Sequence, residues 1–279
     1  MANKSKISVI TPNYNCAPFL MQAIESVKNQ TYQNIEHIVI DGASTDDSVD
    51  ILKQYHHLIW KSEPDKGMND AVNKGFRIST GDILCYLNSD DFFYANALQE
   101  VHDFFQKHPH IDMVISDFDV CDDNGEIMMS RKVAPLNFKE LLFGGVFICQ
   151  PAVFWRRSLY EKVGDLDISL RFAPDYDYFY RMGLAGAKTG IIKKNIVAFR
   201  LRIDSNTIAL QNTKNGGLKF INKHWKPLFH NERVNEILLR AYKFYFRGQH
   251  FIRRLVYRKG YIVVISGNAR IRKKYKGKG

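Results

Sequence analysis

Apolar and polar positions along the first hundred residues switch repeatedly between two periods. "KISVITPNYN" is a short β-rich run ending in polar and turn residues, and "APFLMQAIESVKNQTY" follows with Phe19, Leu20, Ala23, Ile24 and Val27 at helical spacing. "IEHIVIDGASTDDSVDILKQY" repeats the plan: a β-branched run over 35–40, an acidic loop with Gly42, then a helix capped by Ser44 or Thr45. A shorter strand is predicted over 57–62, a helix in "DAVNKGFRISTG" stopped at Gly81, and in "DILCYL" a strand buried on both faces. Such alternation predicts an α/β fold, a mostly parallel sheet between helices. Ligands on these sheets gather at the carboxyl ends of the strands, here 11–15, 41–46, 63–67 and 88–91. The polar loops therefore converge.

Beyond residue 100 the pattern predicts a helix near 95–107, a strand "DMVISDFDV" and a hairpin turn at "DDNG". An acidic loop then leads into an aromatic helix ending near Gly183 to Gly186. The longest apolar stretch, 141–155, is broken by Gly144, Gly145, Gln150 and Pro151 and falls short of the roughly 20 residues a membrane-spanning helix needs. The N-terminal apolar run is too short for a signal-peptide core. Cys16, Cys85, Cys121 and Cys149 are scattered and form no CxxC pair, which suits buried thiols in a reducing compartment and a cytoplasmic location. The formal charge of +11 is concentrated: residues 231–279 hold 14 Lys and Arg against two Glu, leaving the first 230 residues nearly neutral.

Candidate chemistry sits in the converging loops. Asn88 and Asp90, two apart after a buried strand, project to one side as oxygen ligands for a hard cation; the alternative use of "NSDD" is a turn followed by helix caps, with Asp91 as the cap. Asp41 is placed either to accept a hydrogen bond from a base NH or to cap a helix. Tyr14 offers a ring face to a nucleobase, or is an ordinary half-buried aromatic. Asp175 and Asp177 in "APDYDYFY" open a helix, where one is a candidate general base and both complement the dipole. There is no HxxxH, GxxxxGK[ST] or GxSxG pattern and no GxGxxG after the first strand.

Taken in order, "SVITPNYN", "IEHIVIDGASTDDSVDIL", "SEPDKGMNDAVNKGFRISTGDILCYLNSDD" and "QPAVFWRRSLYEKVGDLDISLRFAPDYDYFYRM" resemble the family 2 glycosyltransferases, inverting enzymes with the A-type nucleotide-sugar fold. The likeness runs from about residue 6 to about residue 205 and is closest to bacterial members building capsule, exopolysaccharide or lipopolysaccharide. It implies a Rossmann-like catalytic domain over 1–230, with a nucleotide-sugar half (about 6–110) and an acceptor half (about 111–230), followed by a basic, mainly helical extension over 231–279. It puts Pro12, Tyr14 and Asp41 around the nucleobase and ribose, and Asp65, Gly67, Asn69, Asp70 and Asn73 near the donor. Asn88, Ser89 and Asp90 fall on the DxD-like motif, with Asp90, and Asn88 beside it, as ligands of Mn²⁺ or Mg²⁺. Asn in place of the first Asp leaves one charge fewer on the metal. Asp175 matches the base, with Asp177 as its alternative.

The implied activity is a hexosyltransferase-type transfer from a nucleoside-diphosphate sugar, with a UDP-sugar favoured, to a glycan or polyprenyl-diphosphate-linked acceptor. No motif separates UDP from GDP or dTDP. The tail, rich in Arg, Lys and aromatics, is read either as a helix on an anionic membrane surface at the inner face of the plasma membrane or as a helix packed on the catalytic domain. Two other functions compete. A nucleotidyltransferase would carry a Gly-rich loop with Arg where this chain has "TPNYN", and a nucleic-acid-binding protein would rely on the tail alone, so no specific nucleic acid is expected.

Overall fold

The computed structural model describes residues 5–136, 138, 148–170 and 174–202. Its first half alternates strand and helix: β1 (Ile7–Asn13), α1 (Ala17–Lys28), β2 (Ile35–Asp41), α2 (Ser48–Lys53), β3 (Ile59–Ser62), α3 (Met68–Ile78) and β4 (Ile83–Tyr86). The second half is irregular, with β5 (Phe92–Phe93), α4 (Ala97–Lys107), β6 (Met113–Cys121) and β7 (Ile127–Arg131). A 3-10 turn (Gln150–Ala152) then leads into β8 (Val153–Arg156), α5 (Arg157–Val163), α6 (Pro174–Leu184) and β9 (Thr189–Arg200).

The described strands form one mixed sheet in the order β3-β2-β1-β4-β8-β6-β9-β5, with β7 on β6. The first four are parallel, in a register that aligns Asn13 with Asp41 and Asp41 with Ser62. β8 then runs antiparallel between β4 and β6, while β6 and β9 are parallel to each other. This reversal was not readable from "VFWR", a short apolar run whose pattern is the same in either direction. It has a consequence for the site. An antiparallel β8 starts where β4 ends, so the Gln150 turn lands beside Asn88, and β9 ends at the same edge with Arg200.

Alternation along the strands sorts the core onto two faces. Ile7, Val9, Ile83 and Cys85 pack with Val101, Phe105 and Phe154 on one side; Ile10, Leu84 and Tyr86 pack with Phe76, Trp155, Tyr178 and Phe179 on the other. Trp155 meets the Phe76 and Tyr178 rings edge-on at 5.6 and 5.7 Å, which fixes α6, and with it Asp175, against the sheet. Helix α1 buries Leu20, Ala23, Ile24 and Val27 as its spacing predicted, but Phe19 is only partly buried and lies under two guanidinium groups. Helix α3 ends at Ser79 rather than Gly81; at Gly81 a Cβ would stand 2.7 Å from the Ser8 backbone nitrogen, so its glycine serves close strand packing. The "DDNG" hairpin is present, with Gly125 at φ +84°. All four cysteines are free and buried.

Among the described residues no helix is long and apolar enough to cross a membrane. The tail over 231–279 lies outside the described residues.

Candidate active site

The parallel register builds the first part of the site directly. Asn13, Asp41 and Ser62 stand side by side at the ends of β1, β2 and β3. Asp41 is completely buried, and its carboxylate accepts from Asn13 Nδ2 (2.7 Å), Ser44 Oγ (2.5 Å), Ser44 N (2.9 Å) and Ser62 Oγ (2.6 Å). Burial alone would raise its pKa, but the Ser44 and Ser62 hydroxyls, the Ser44 amide and the Asn13 amide hold it below the usual carboxylate range. Ser44 is thus committed to Asp41 and caps no helix; α2 begins later, after Asp47. The neighbouring loops are locked together as Asn15 Oδ1 accepts from Thr45 N (2.8 Å) and Asp46 Oδ2 from Ala17 N (2.9 Å).

Around this ring of polar groups the next loops close in. The Tyr14 side chain is 65% exposed, whereas Pro12 is buried within β1 opposite Ile40. Gly42 lies between loops: a Cβ there would stand 2.6 Å from Asp65 Oδ2 and 3.4 Å from Tyr14 Cδ2. Asp65 Oδ1 accepts from Gly67 N (2.7 Å), and Gly67 takes φ +105°, a conformation only glycine adopts without strain. Tyr14, Asp41, Asp65 and Gly67 are therefore brought together. The Asn69, Asp70 and Asn73 side chains are directed elsewhere. Asn69 Nδ2 donates to the carbonyls of Asp167 (3.0 Å) and Leu170 (2.9 Å), and Asn73 pairs with both backbone groups of Leu166. Asp70 accepts from Lys66 N at 3.1 Å. These three position the turn before α3 and the 166–170 loop.

The turn after β4 is held from several sides. Asn88 Nδ2 donates to Asp91 Oδ2 (3.2 Å) and Gln150 Oε1 (3.3 Å), while Asn88 Oδ1 is buried with no hydrogen-bond partner. Asp91 is buried and accepts from Arg200 N at 2.8 Å; burial, then the charge of Asp90, push its pKa well up. It does not cap α4, whose cap position is Asn96. Ser89 is buried and hydrogen-bonds the Cys16 thiol. Asp90 is partly accessible, with Oδ2 3.5 Å from Arg202 Nη1. An orphaned buried oxygen on Asn88 and a carboxylate two residues on are hard donors of the type Mg²⁺ or Mn²⁺ takes, so the residues fit such an ion. Among the described residues no group of three or more His, Cys, Asp or Glu is placed to hold one.

Asp175 and Asp177 separate cleanly. Asp177 is fully buried and paired with Arg181 Nε at 2.9 Å, and Arg181 also donates to the carbonyls of Val163 and Asp165. That pair is a staple between α6 and the end of α5, and it commits the Asp177 carboxylate to Arg181. Asp175 lies at the start of α6, where burial pushes its carboxyl up to about 6 against the opposing pull of its own and the Tyr176 backbone amides. The charges of Asp91 and Asp175 both act on the buried Cys149 thiol, so both carboxylates lie near the 148–150 segment.

The family model for "Glycosyl transferase family 2" matches residues 8–164. The chain belongs to that family. It is a glycosyltransferase, which sets aside the nucleotidyltransferase reading. A PGL/p-HBAD biosynthesis glycosyltransferase of Mycobacterium tuberculosis is 32% identical over 190 residues, covering 62% of this chain and 68% of that protein. A glycosyltransferase of Nostoc is 30% identical over 219 residues, 72% of this chain and 66% of that one. Among solved structures, residues 1–349 of Staphylococcus aureus TarS with UDP-GlcNAc align at TM-score 0.60 and 20% identity, over 73% of this chain and 61% of that one. A Pyrobaculum calidifontis mannosyltransferase with GDP-Man and Mn²⁺ aligns at TM-score 0.61 and 16% identity, over 97% and 81%. These two establish the A-type fold. Less than two thirds of that TarS chain is matched.

Gln150, Ser62, Cys16, Arg200 and Arg202 were given no place in the site by the sequence. Gln150 and Ser62 lie inside or beside the quoted motifs, whereas nothing local marks the two arginines.

Proposed function

We propose that this glycosyltransferase moves a sugar from a nucleoside-diphosphate sugar to a hydroxyl of a glycan or lipid-linked glycan, inverting the anomeric centre by a single displacement during surface-polysaccharide synthesis. The observation that carries this reading is Asp175: a carboxyl pushed up to about 6, near the 148–150 segment whose Gln150 hydrogen-bonds Asn88. A base of that strength is ionised at neutral pH yet binds a proton better than an ordinary aspartate.

The nucleobase and ribose would lie against Tyr14 and over the bare backbone of Gly42, with Pro12 and Asp41 beneath and Asp65 and Gly67 alongside. Asp90 and Asn88 would hold Mn²⁺ or Mg²⁺, which when bound supplies positive charge against the departing diphosphate. Asp175 receives the acceptor's hydroxyl proton as that oxygen forms the new bond to the anomeric carbon and the carbon–phosphate oxygen bond breaks. Of the donors, a UDP-sugar is the first to test, because the TarS structure holds UDP-GlcNAc; the GDP-Man of the mannosyltransferase makes GDP the comparison. The basic 231–279 segment is proposed to hold the enzyme at an anionic membrane surface.

Calorimetry with UDP, GDP and dTDP, with and without Mn²⁺, tests the reading on wild type and Asp90→Ala. Metal-dependent binding of one nucleotide, lost in the variant, is expected. Folded wild-type protein that binds none of them would overturn it.

A further inference from the structure

We propose that Arg202 is a built-in counter-cation for Asp90, displaced when a divalent ion binds, so that metal and nucleoside diphosphate enter the site as a coupled pair. The inference rests on the donor reading above and adds a residue and an order to it.

Two arginines reach the motif from the end of β9, and their surroundings differ. Arg200 is buried and fully committed: Nε donates to the Asp90 carbonyl (2.8 Å), Nη1 to the carbonyls of Asp122 (2.8 Å) and Asp123 (2.7 Å), and Nη2 to Gln22 Oε1 (2.5 Å). It ties the turn, the hairpin and α1 into one unit and cannot leave without unmaking them. Arg202, two residues on, stacks on the same Phe19 ring, at 4.7 Å against 4.8 Å for Arg200. Arg202 Nη1 lies 3.5 Å from Asp90 Oδ2 and donates to Cys16 Sγ at 3.4 Å, with 22% of the side chain exposed. Burial pushes the Cys16 thiol up, so it faces Arg202 as a neutral group. Asp90 is thus an ionic partner of Arg202 in this cluster, and one of its carboxylate oxygens already faces a fixed positive charge.

A divalent ion arriving alone must work against that charge. An incoming diphosphate changes the balance, because a guanidinium pairs with phosphate oxygens at least as well as with a carboxylate. Arg202 can then turn from Asp90 to the diphosphate while the ion takes Asp90. By linkage, each ligand strengthens the other, and part of that coupling belongs to Arg202 rather than to the metal–phosphate bond.

The test is a Mn²⁺ titration read by the electron paramagnetic resonance of free Mn²⁺, on the full chain, with and without UDP or GDP. Wild type, Arg202→Gln and Arg202→Lys are compared. Without nucleotide, Arg202→Gln should bind Mn²⁺ on the order of tenfold more tightly than wild type, Arg202→Lys should stay near wild type, and the nucleotide-induced gain should shrink in Arg202→Gln. Unchanged or weaker Mn²⁺ binding in Arg202→Gln, in protein that still binds UDP or GDP, overturns the role of Arg202 and leaves the donor reading intact. Wild type that binds neither nucleotide overturns the donor reading and the coupling with it.

Discussion

Replacing Asp175 by Asn tests both the chemistry and the electrostatics of the site. Asn keeps the shape but neither ionises nor accepts a proton, so transfer should fall by about 10²–10⁴-fold while nucleotide binding persists. The stability effect has a definite sign. Asp175 rises from 3.8 to about 6 on folding, so the folded chain holds this proton more tightly than the unfolded chain between those values. Stability therefore falls as pH rises through that window, and the penalty is complete above it. About two pKa units correspond to ~3 kcal/mol at most, and partial solvent access reduces this to about 1–3 kcal/mol. Asp175→Asn should recover that amount at pH 8 and almost none near pH 4, a Tm gain of several degrees that vanishes on acidification. Urea unfolding of both proteins across this range is the assay, beside a transfer assay in which wild-type activity drops about tenfold per pH unit below the folded pKa. An advantage of equal size at both pH extremes would refute the buried-charge argument. Wild-type transfer rates in the variant would refute Asp175 as the base.

Asp41→Ala strips the acceptor from Asn13, Ser44 and Ser62 at once and should cost about 3 kcal/mol or more, measured by urea unfolding at pH 7. Because the folded pKa of Asp41 is depressed, that contribution is present above the unfolded value near 3.8 and is lost as pH falls through the lower folded one, so wild type and variant should converge in acid. Gly42→Ala places a methyl 2.6 Å from Asp65 Oδ2 and beside the Tyr14 ring. The fold should survive, since the carboxylate can swing aside, but nucleotide affinity should drop by about tenfold or more in calorimetry.

How much of this was legible in the sequence differs from element to element. Short apolar, β-branched runs set β1, β2 and β4, and the loops at the strand ends located Tyr14, Asp41, Asp65 and Asp90, because strand composition and loop polarity are local properties. The same local view misassigned Ser44 and Asp91 as helix caps, since a hydroxyl or carboxylate before a helix has the same sequence signature whether it bonds that helix or a distant strand. The residues alone left Asp175 and Asp177 open and the resemblance put Asp175 first; packing then set Asp177 against Arg181 and left Asp175 near the 148–150 segment. The sequence alone determined the α/β alternation, the family and the polar loops that gather at the carboxyl ends of the strands. Only the tertiary structure decided that β8 runs antiparallel, and with it that Gln150, Arg200 and Arg202 meet Asn88 and Asp90. Strand direction depends on how distant segments pair, and no residue carries that information by itself.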